Sequence, residues 1–199
     1  MRFLNLFPFV STALIVSALT ARVQLTTYSD PKTGVTFQYP SVWKPVADPA
    51  NYGQSLVREN SNNITPVFAV EFSQEGNLYE KTNLEGLGYV YFAAPSPNIA
   101  ACATLGDVNQ GQPPKPTYTT IHGLRFQHST GGDGGMSQWM TSDAYSVYRN
   151  GTCYIFEEIF KTVNAQVAEK HELTKAQATA LQRHLDAITQ SIVFTPAKP

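Results

Sequence analysis

The chain of 199 residues carries 14 lysine and arginine residues against 15 aspartate and glutamate residues, so its formal net charge is −1. The basic residues are scattered without a stripe or cluster, which excludes the usual footprint of a nucleic-acid-binding protein or of a protein held on a strongly anionic membrane. A chain of this length is sufficient for one domain with a substantial core.

The first residues predict a signal peptide. Arg2 precedes a largely apolar run at residues 3–19, and small residues near its end offer Ala18 or Ala21 as the cleavage point. A membrane anchor is the alternative, but the run is at the lower limit for spanning and is interrupted by polar residues and a proline. We therefore expect a signal peptide at 1–21, a single domain at 22–199, export to the periplasm or the extracellular space, and no stable membrane insertion after cleavage.

Alternating side chains predict the first strands. Val35, Phe37 and Tyr39 alternate with polar residues in GVTFQYP, and Pro40 ends the run. Further strands are predicted at residues 55–58, 67–72 and 89–93.

A short helix is predicted at residues 99–105, and it carries Cys102. Ser96 is its predicted N-cap, Pro97 fits the first helical position, and Gly106 fits the C-terminal stop. The next segment, GDVNQGQPPKPT, has no apolar period and is predicted to be a surface loop.

Two short strands at residues 117–121 and 124–129 are predicted to join at His122-Gly123. The glycine-rich run GGDGG at 131–135 follows them, and it could form a nest of amides for an anion. Phosphate loops lie between a strand and a helix N-terminus, whereas this run precedes a predicted strand. We interpret the run as a flexible connection.

A second hairpin is predicted at Asn150-Gly151, because these residues favour the positive φ angles of a two-residue turn. The turn sets Arg149 opposite Thr152. One face of the hairpin then carries Tyr145, Val147, Tyr154 and Phe156, and the other carries Tyr148, Cys153, Ile155 and Ile159. Apolar residues on both faces predict a central strand that is covered on both sides.

The last predicted element is a helix that begins with a capping box at Thr174 and Gln177. Apolar residues then form one stripe at Leu181, Leu185, Ile188 and Ile192. Residues 191–195 are predicted to leave the helix as a closing strand.

The two cysteines, Cys102 and Cys153, favour a disulfide in an exported chain. A free reactive thiol and a metal site are the alternatives. The four histidines are poorly spaced for metal binding, and in HELTK the residue Lys175 stands where a zinc-protease motif needs its second histidine. We expect a disulfide, no metal and no cofactor.

The candidate catalytic residues are carboxylates. The stretch Gly53-Gln54-Ser55 starts like a nucleophile elbow, but Val57 replaces the second glycine, which excludes that motif. Glu157 and Glu158 are neighbours, so a strand sends them to opposite faces. Glu158 would face Asp143 across the hairpin, and this pair could act as a general acid and base. Like charges at a strand end in water are the alternative.

A group of tyrosines is a candidate binding surface for a ligand or a glycan. The group consists of Tyr89, Tyr91, Tyr145, Tyr148 and Tyr154. Tyrosine is also ordinary core material near a surface, which is the alternative.

The strand GVTFQYP followed closely by Trp43, a mostly antiparallel sheet, and a C-terminal helix that runs into SIVF resemble the fold of the photosystem extrinsic protein PsbP. That resemblance implies an α+β fold, in which helices cover the sheet as an α/β/α sandwich. The stretches KTNLEGLGYVYF, AAC, TIHGLRF and NGTCY are similar to small exported bacterial proteins of unknown function. The resemblance implies that Cys102 and Cys153 pair, and it supplies no catalytic or metal-binding residues.

These observations favour an exported, non-catalytic binding or accessory module whose partner is an unknown protein or small ligand. The first alternative is a hydrolase that uses Asp143 and Glu158. The second is a lipocalin-like carrier, which would need a glycine where Ser41 stands and a chain of long up-and-down strands.

Overall fold

The computed structural model describes residues 24–61, 64–72, 78–109 and 117–195, so the predicted signal peptide lies outside the described residues. The strands are β1 Leu25–Asp30, β2 Val35–Pro40, β3 Lys44–Pro45, β4 Pro66–Phe72, β5 Leu84–Pro95, β6 Thr117–Ile121, β7 Leu124–Gly135, β8 Gln138–Arg149, β9 Thr152–Val163 and β10 Val193–Phe194. The helices are α1 Leu56–Asn60, α2 Ile99–Leu105 and α3 Lys175–Gln190, with a 3-10 turn at Pro49–Asn51.

Within the described residues, the strands form two antiparallel sheets. The larger sheet has seven strands in the order β3-β4-β5-β9-β8-β7-β6, and the smaller has the order β1-β2-β10. The predicted mostly antiparallel sheet is therefore confirmed. Because β9 lies between β5 and β8 in an open sheet, the topology differs from the up-and-down barrel that a lipocalin-like carrier requires.

The larger sheet has a hydrophobic core on each face, and β9 contributes to both. Tyr154 and Phe156 pack with α3 and the smaller sheet, which share one face. Cys153 and Ile155 point to the opposite face, where α1 and α2 pack. The predicted central strand with two covered faces is confirmed, although the helical cover on the second face is limited to two short helices.

The predicted hairpin at Asn150-Gly151 is confirmed with its register. Arg149 lies opposite Thr152, and both turn residues have positive φ, of 49° and 80°. The hairpin at residues 122–123 is also confirmed, and its first turn residue again has positive φ. In both turns the local sequence determined the strand pairing because each turn type fixes the register.

The C-terminal elements agree with their prediction. The Thr174 hydroxyl accepts the Gln177 backbone N–H, and the Gln177 side chain accepts the Thr174 backbone N–H, which completes the capping box. The four apolar residues of the stripe are buried. The closing strand is β10, which pairs with β2.

The disulfide joins α2 to β9. Cys102 and Cys153 are bonded with their Cα atoms 5.1 Å apart, and both side chains are buried. The predicted pairing is confirmed. The bridge fixes α2 to the face of the sheet that also carries Tyr148 and Ile155.

Two local predictions near helices are wrong. Residues 55–58 do not form a strand, because the Ser55 hydroxyl caps α1 by accepting the Arg58 N–H. The N-cap of α2 is Asn98 rather than Ser96, since the Asn98 side chain accepts the Ala101 N–H at 2.9 Å. Of the predicted loop after α2, residues 110–116 lie outside the described residues.

The glycine run is strand rather than a flexible connection, which corrects the prediction. Residues 131–135 complete β7 and pair with β8, and the turn lies at Met136 and Ser137, both with positive φ. A Cβ at Gly131 would lie 1.9 Å from the carbonyl oxygen of Val108. Glycine is therefore required there by close approach of two backbones rather than by mobility.

Candidate functional site

The two residues of the predicted carboxylate pair lie opposite each other on neighbouring strands, but only one of them is exposed to solvent. Asp143 lies directly opposite Glu158 across β8 and β9. Glu158 is 2% exposed, and its two oxygens accept hydrogen bonds from Thr189 at 2.5 Å and from Gln182 at 2.8 Å, both on α3. The alternative of like charges at a strand end in water is therefore wrong for Glu158, because α3 covers it.

Asp143 has a different partner. Its Oδ1 lies 2.8 Å from His128 Nε2, and the His128 ring stacks on Tyr145 with centroids 4.6 Å apart. The side chains of His128 and Asp143 are 26% and 30% exposed. Solvent therefore reaches Asp143 but not its partner across the hairpin.

Burial raises the pKa of Glu158 to about 8. The hydrogen bond from Thr189 opposes the rise, whereas the charges of Asp186 and Asp143 add to it. Such a carboxyl is protonated at neutral pH and could in principle act as an acid. Because its oxygens are bonded to α3 and shielded from solvent, a substrate cannot reach it in this arrangement. The geometry thus gives the hydrolase alternative no support.

Glu157 lies on the opposite face and holds α1 to the sheet. It is fully buried and accepts hydrogen bonds from the hydroxyls of Ser55 and Ser142 and from the Leu56 N–H. Burial raises the pKa of Glu157 to about 7, and the hydrogen bonds from Ser142, Ser55 and Leu56 oppose that rise. Sequence reasoning missed the contact with α1, because Ser55 and Leu56 lie 102 and 101 positions from Glu157.

The prediction of a tyrosine binding surface is wrong for Tyr89 and Tyr91. Tyr89 and Tyr91 are fully buried, and their hydroxyls contact Thr189 and Thr33 inside the protein. Tyr145 and Tyr148 are half-buried but belong to opposite faces of the larger sheet. Tyr154 is buried as well. The five tyrosines therefore do not share one surface, and core packing accounts for most of them.

A surface groove lies where the far end of the β7–β8 hairpin meets α1, β5 and β9. It has a volume of about 350 Å³. Trp139 and the carboxylates of Glu59, Glu85 and Asp133 line it, together with Lys161. We call it the Trp139 groove.

The glycines of β7 shape the wall of the Trp139 groove. Gly134 pairs with Trp139 across the hairpin, and a Cβ at Gly134 would lie 2.7 Å from the indole Cδ1. The indole can therefore lie against bare backbone. Trp139 remains 49% exposed, and Met136 at the hairpin turn is fully exposed.

Lys161 connects the Trp139 groove to a second cavity of about 280 Å³ that also contains Lys44 and Glu71. The Lys161 side chain is 12% exposed, and its Nζ lies 4.0 Å from the Glu71 carboxylate. Burial lowers the pKa of Lys161, and the charges of Glu71 and Glu85 oppose that change.

The groove was not anticipated from the sequence. The one signal in the chain is the tryptophan of MSQWM, which occupies a strand position beside the glycine run. Within the described ranges, no group of three or more histidine, cysteine, aspartate or glutamate side chains is arranged to hold a metal ion. No helix in the described part of the chain has the length and apolar character to cross a membrane.

Comparisons with known proteins find similarity at the level of structure. No protein-family model matches the chain, and no curated protein matches its sequence. LpqN, involved in cell envelope biogenesis of Mycobacterium tuberculosis, is 11% identical with a TM-score of 0.47, over 87% of this chain and 91% of that one. Cyanobacterial PsbP (CyanoP) from Synechocystis is 13% identical with a TM-score of 0.46, over 95% of this chain and 100% of that one.

A third solved structure comes from Bacteroides thetaiotaomicron. It is 11% identical with a TM-score of 0.44, over 85% of this chain and 48% of that one, so the chain spans about half of its length. The resemblance to PsbP in the sequence thus recurs among solved structures. These similarities concern the fold alone, and with TM-scores below 0.5 they carry no conclusion about function.

Proposed function

We propose that this chain is an exported, non-catalytic binding or accessory module of the cell envelope or the extracellular space. Residues 1–21 would be removed as a signal peptide, and residues 22–199 would form one domain with PsbP-like α/β/α layers. Its partner is a protein or a small ligand, and the Trp139 groove is the binding site.

The Trp139 groove is the observation that carries this proposal. Its half-exposed indole is presented to solvent on a paired hairpin, which is a rigid support. Large aromatic side chains at such positions are typical of binding surfaces. By contrast, the buried carboxyls of Glu157 and Glu158 are hydrogen-bonded within the chain. The side chains that solvent can reach therefore favour a binding role over a catalytic one.

The disulfide supports the assignment to an oxidising compartment. Structural disulfides persist in the periplasm and outside the cell, and they are rare in the cytosol. Both cysteines of the chain are used in the one bond. Recovery of the protein only from the cytosol, with both thiols free, would count against export.

Capture from envelope extract tests the binding function. The wild-type protein is immobilised beside Trp139→Ala and Tyr118→Ala, and Tyr118 is a matched control because it is an aromatic residue with 50% exposure outside the groove. We expect one set of captured partners for the wild type and Tyr118→Ala, and its loss for Trp139→Ala. Equal capture by all three proteins would show that the Trp139 groove is not the binding site.

The same capture separates binding from catalysis. Asp143→Asn removes the solvent-accessible carboxylate of the predicted pair. If the protein is non-catalytic, this variant retains both partner capture and the wild-type phenotype in cells. A variant that captures the partner normally but has the phenotype of a deletion would favour an enzyme.

A further inference from the structure

We propose that the Trp139 groove is a docking site for a basic segment of a partner protein, with a lysine or arginine side chain of that segment over the Trp139 indole and beside Glu59 and Asp133. This inference rests on the proposed binding function and specifies the chemistry of its partner.

Unbalanced charge is the first argument. Glu59 on α1 and Asp133 on β7 line the groove together, and burial with the charge of Asp133 raises the pKa of Glu59. In the described part of the chain, the ion pairs are His128 with Asp143 and Lys161 with Glu71. Neither Glu59 nor Asp133 therefore has a cationic partner within these residues. A cation from outside would relieve their repulsion.

The position of the lysines is the second argument. Among the described residues, the Trp139 groove and the adjoining cavity together contain four carboxylates and two ammonium groups, a net charge of −2. Lys44 and Glu71 line only the adjoining cavity. Lys161 lines both cavities, and the negative charges of Glu71 and Glu85 lie close to its ammonium group. The part that holds Trp139 is thus the acidic part.

The exposed apolar residues are the third argument. A lysine ammonium or an arginine guanidinium is attracted to the face of an indole, and the attraction grows when the pair is desolvated. Trp139 offers such a face at 49% exposure. Met136 lines the groove at the hairpin turn and is fully exposed, so it can adapt to an irregular surface.

The fully exposed Met136 favours a protein partner over a small amine. A volume of about 350 Å³ is near the lower end of ligand pockets, which span roughly 300–1,000 Å³. A long cationic side chain fits within this volume. A small amine held there would leave Met136 uncovered, whereas the flanking backbone of a protein segment would cover it.

Binding of a labelled peptide tests the proposal. The probe is Gly-Ser-Arg-Gly-Arg-Ser-Gly with a fluorescent label, and its partner probe has glutamate in place of arginine. We expect the purified protein to bind the arginine probe with an affinity that falls as salt is added, and to ignore the glutamate probe. The emission of Trp139 should change on binding, since the other tryptophan, Trp43, is buried.

Variants test whether Glu59, Asp133 and Trp139 contact the arginine probe. Glu59→Gln combined with Asp133→Asn should weaken arginine-probe binding about tenfold, and Trp139→Ala should weaken it by at least as much. Glu169→Gln is the matched control, because it removes an exposed charge outside the groove and should leave affinity unchanged. Thermal unfolding of each variant verifies that it is folded.

Other outcomes overturn the inference. Equal affinity for the two probes, or unchanged affinity in the double variant, would exclude an acidic docking site. Free arginine amide that binds as tightly as the arginine probe would exclude a protein segment as the intended occupant. If Trp139→Ala abolishes capture from envelope extract while the arginine probe does not bind, the proposed function stands and the basic partner is wrong.

Discussion

Glu157 and Glu158 are adjacent in β9, yet their carboxyl groups lie in the two different cores of the protein. Glu157 accepts hydrogen bonds from α1 and β8, and Glu158 accepts them from α3. One dipeptide thus connects the central strand to helices on both faces of the sheet. Because a buried carboxyl is costly when ionised, this arrangement makes the stability of the protein depend on pH.

The first prediction is that stability falls as pH rises from about 5 to about 8. The folded-state pKa values are raised to about 7 for Glu157 and about 8 for Glu158, whereas an unfolded glutamate has a pKa of about 4.3. Between these values the unfolded chain binds fewer protons than the folded chain, so the free energy of unfolding decreases with pH. Thermal unfolding across this range measures the effect.

Glu158→Gln supplies the control for that prediction. Glutamine has the same shape, and its amide can still accept from Gln182 and donate to Thr189. The variant should show a shallower loss of Tm with rising pH than the wild type. An unchanged slope, or a wild-type Tm that increases with pH over this range, would contradict the assignment.

The second prediction concerns the Ser55 hydroxyl, which has two roles. It caps α1 and it donates to buried Glu157. Ser55→Ala should therefore destabilise the protein by about 2–3 kcal/mol, because it combines loss of an N-cap with loss of a hydrogen bond to a buried carboxyl. Denaturant unfolding gives the value.

Asn98→Ala is the matched comparison for Ser55→Ala. Asn98 caps α2 by accepting the Ala101 N–H on an exposed surface, and no carboxyl takes part in that cap. Its loss should cost about 1 kcal/mol, as for an ordinary N-cap. Equal losses in the two variants would mean that Glu157 gains little from Ser55.

The third prediction is that Gly131→Ala is destabilising while Gly135→Ala is nearly neutral. The new Cβ at Gly131 would meet the Val108 carbonyl at 1.9 Å, but nothing lies within 4 Å of a Cβ at Gly135. We expect a loss of about 1–3 kcal/mol at the first position and less than about 0.5 kcal/mol at the second. If both variants unfold at the wild-type denaturant concentration, the close approach of β7 to Val108 is not part of the solution structure.

The strand conformation of the glycine run could not be predicted from the sequence. The hairpin at Asn150-Gly151 was predictable because its turn chemistry and alternation are local. Gly131 looks the same in sequence whether it provides mobility or close backbone contact, and the distinction depends on Val108, which belongs to a different segment of the chain. The helix α1 was missed for a similar reason, since five residues show no helical period and the contact with Glu157 holds it in place.

The Trp139 groove could not be predicted from the sequence for the same physical reason. Trp139 and Asp133 come from one hairpin, but Glu59 is supplied by α1 and Glu85 by β5. No spacing rule connects these segments. Likewise, composition rules place glutamate at the surface, and only the packing of α3 on the sheet shows that Glu158 is buried.

The last prediction is that the two cysteines contribute one shared interaction to stability. Their sequence separation is 51, and the bridge fixes α2 to β9. Closing a loop of that length stabilises the fold by about 4 kcal/mol in the chain-entropy model. Cys102→Ser and Cys153→Ser should therefore lower the Tm by similar amounts, with the double variant no less stable than either single variant. Losses that add in the double variant, or two free thiols titrated in the native exported protein, would show that the sulfurs act separately.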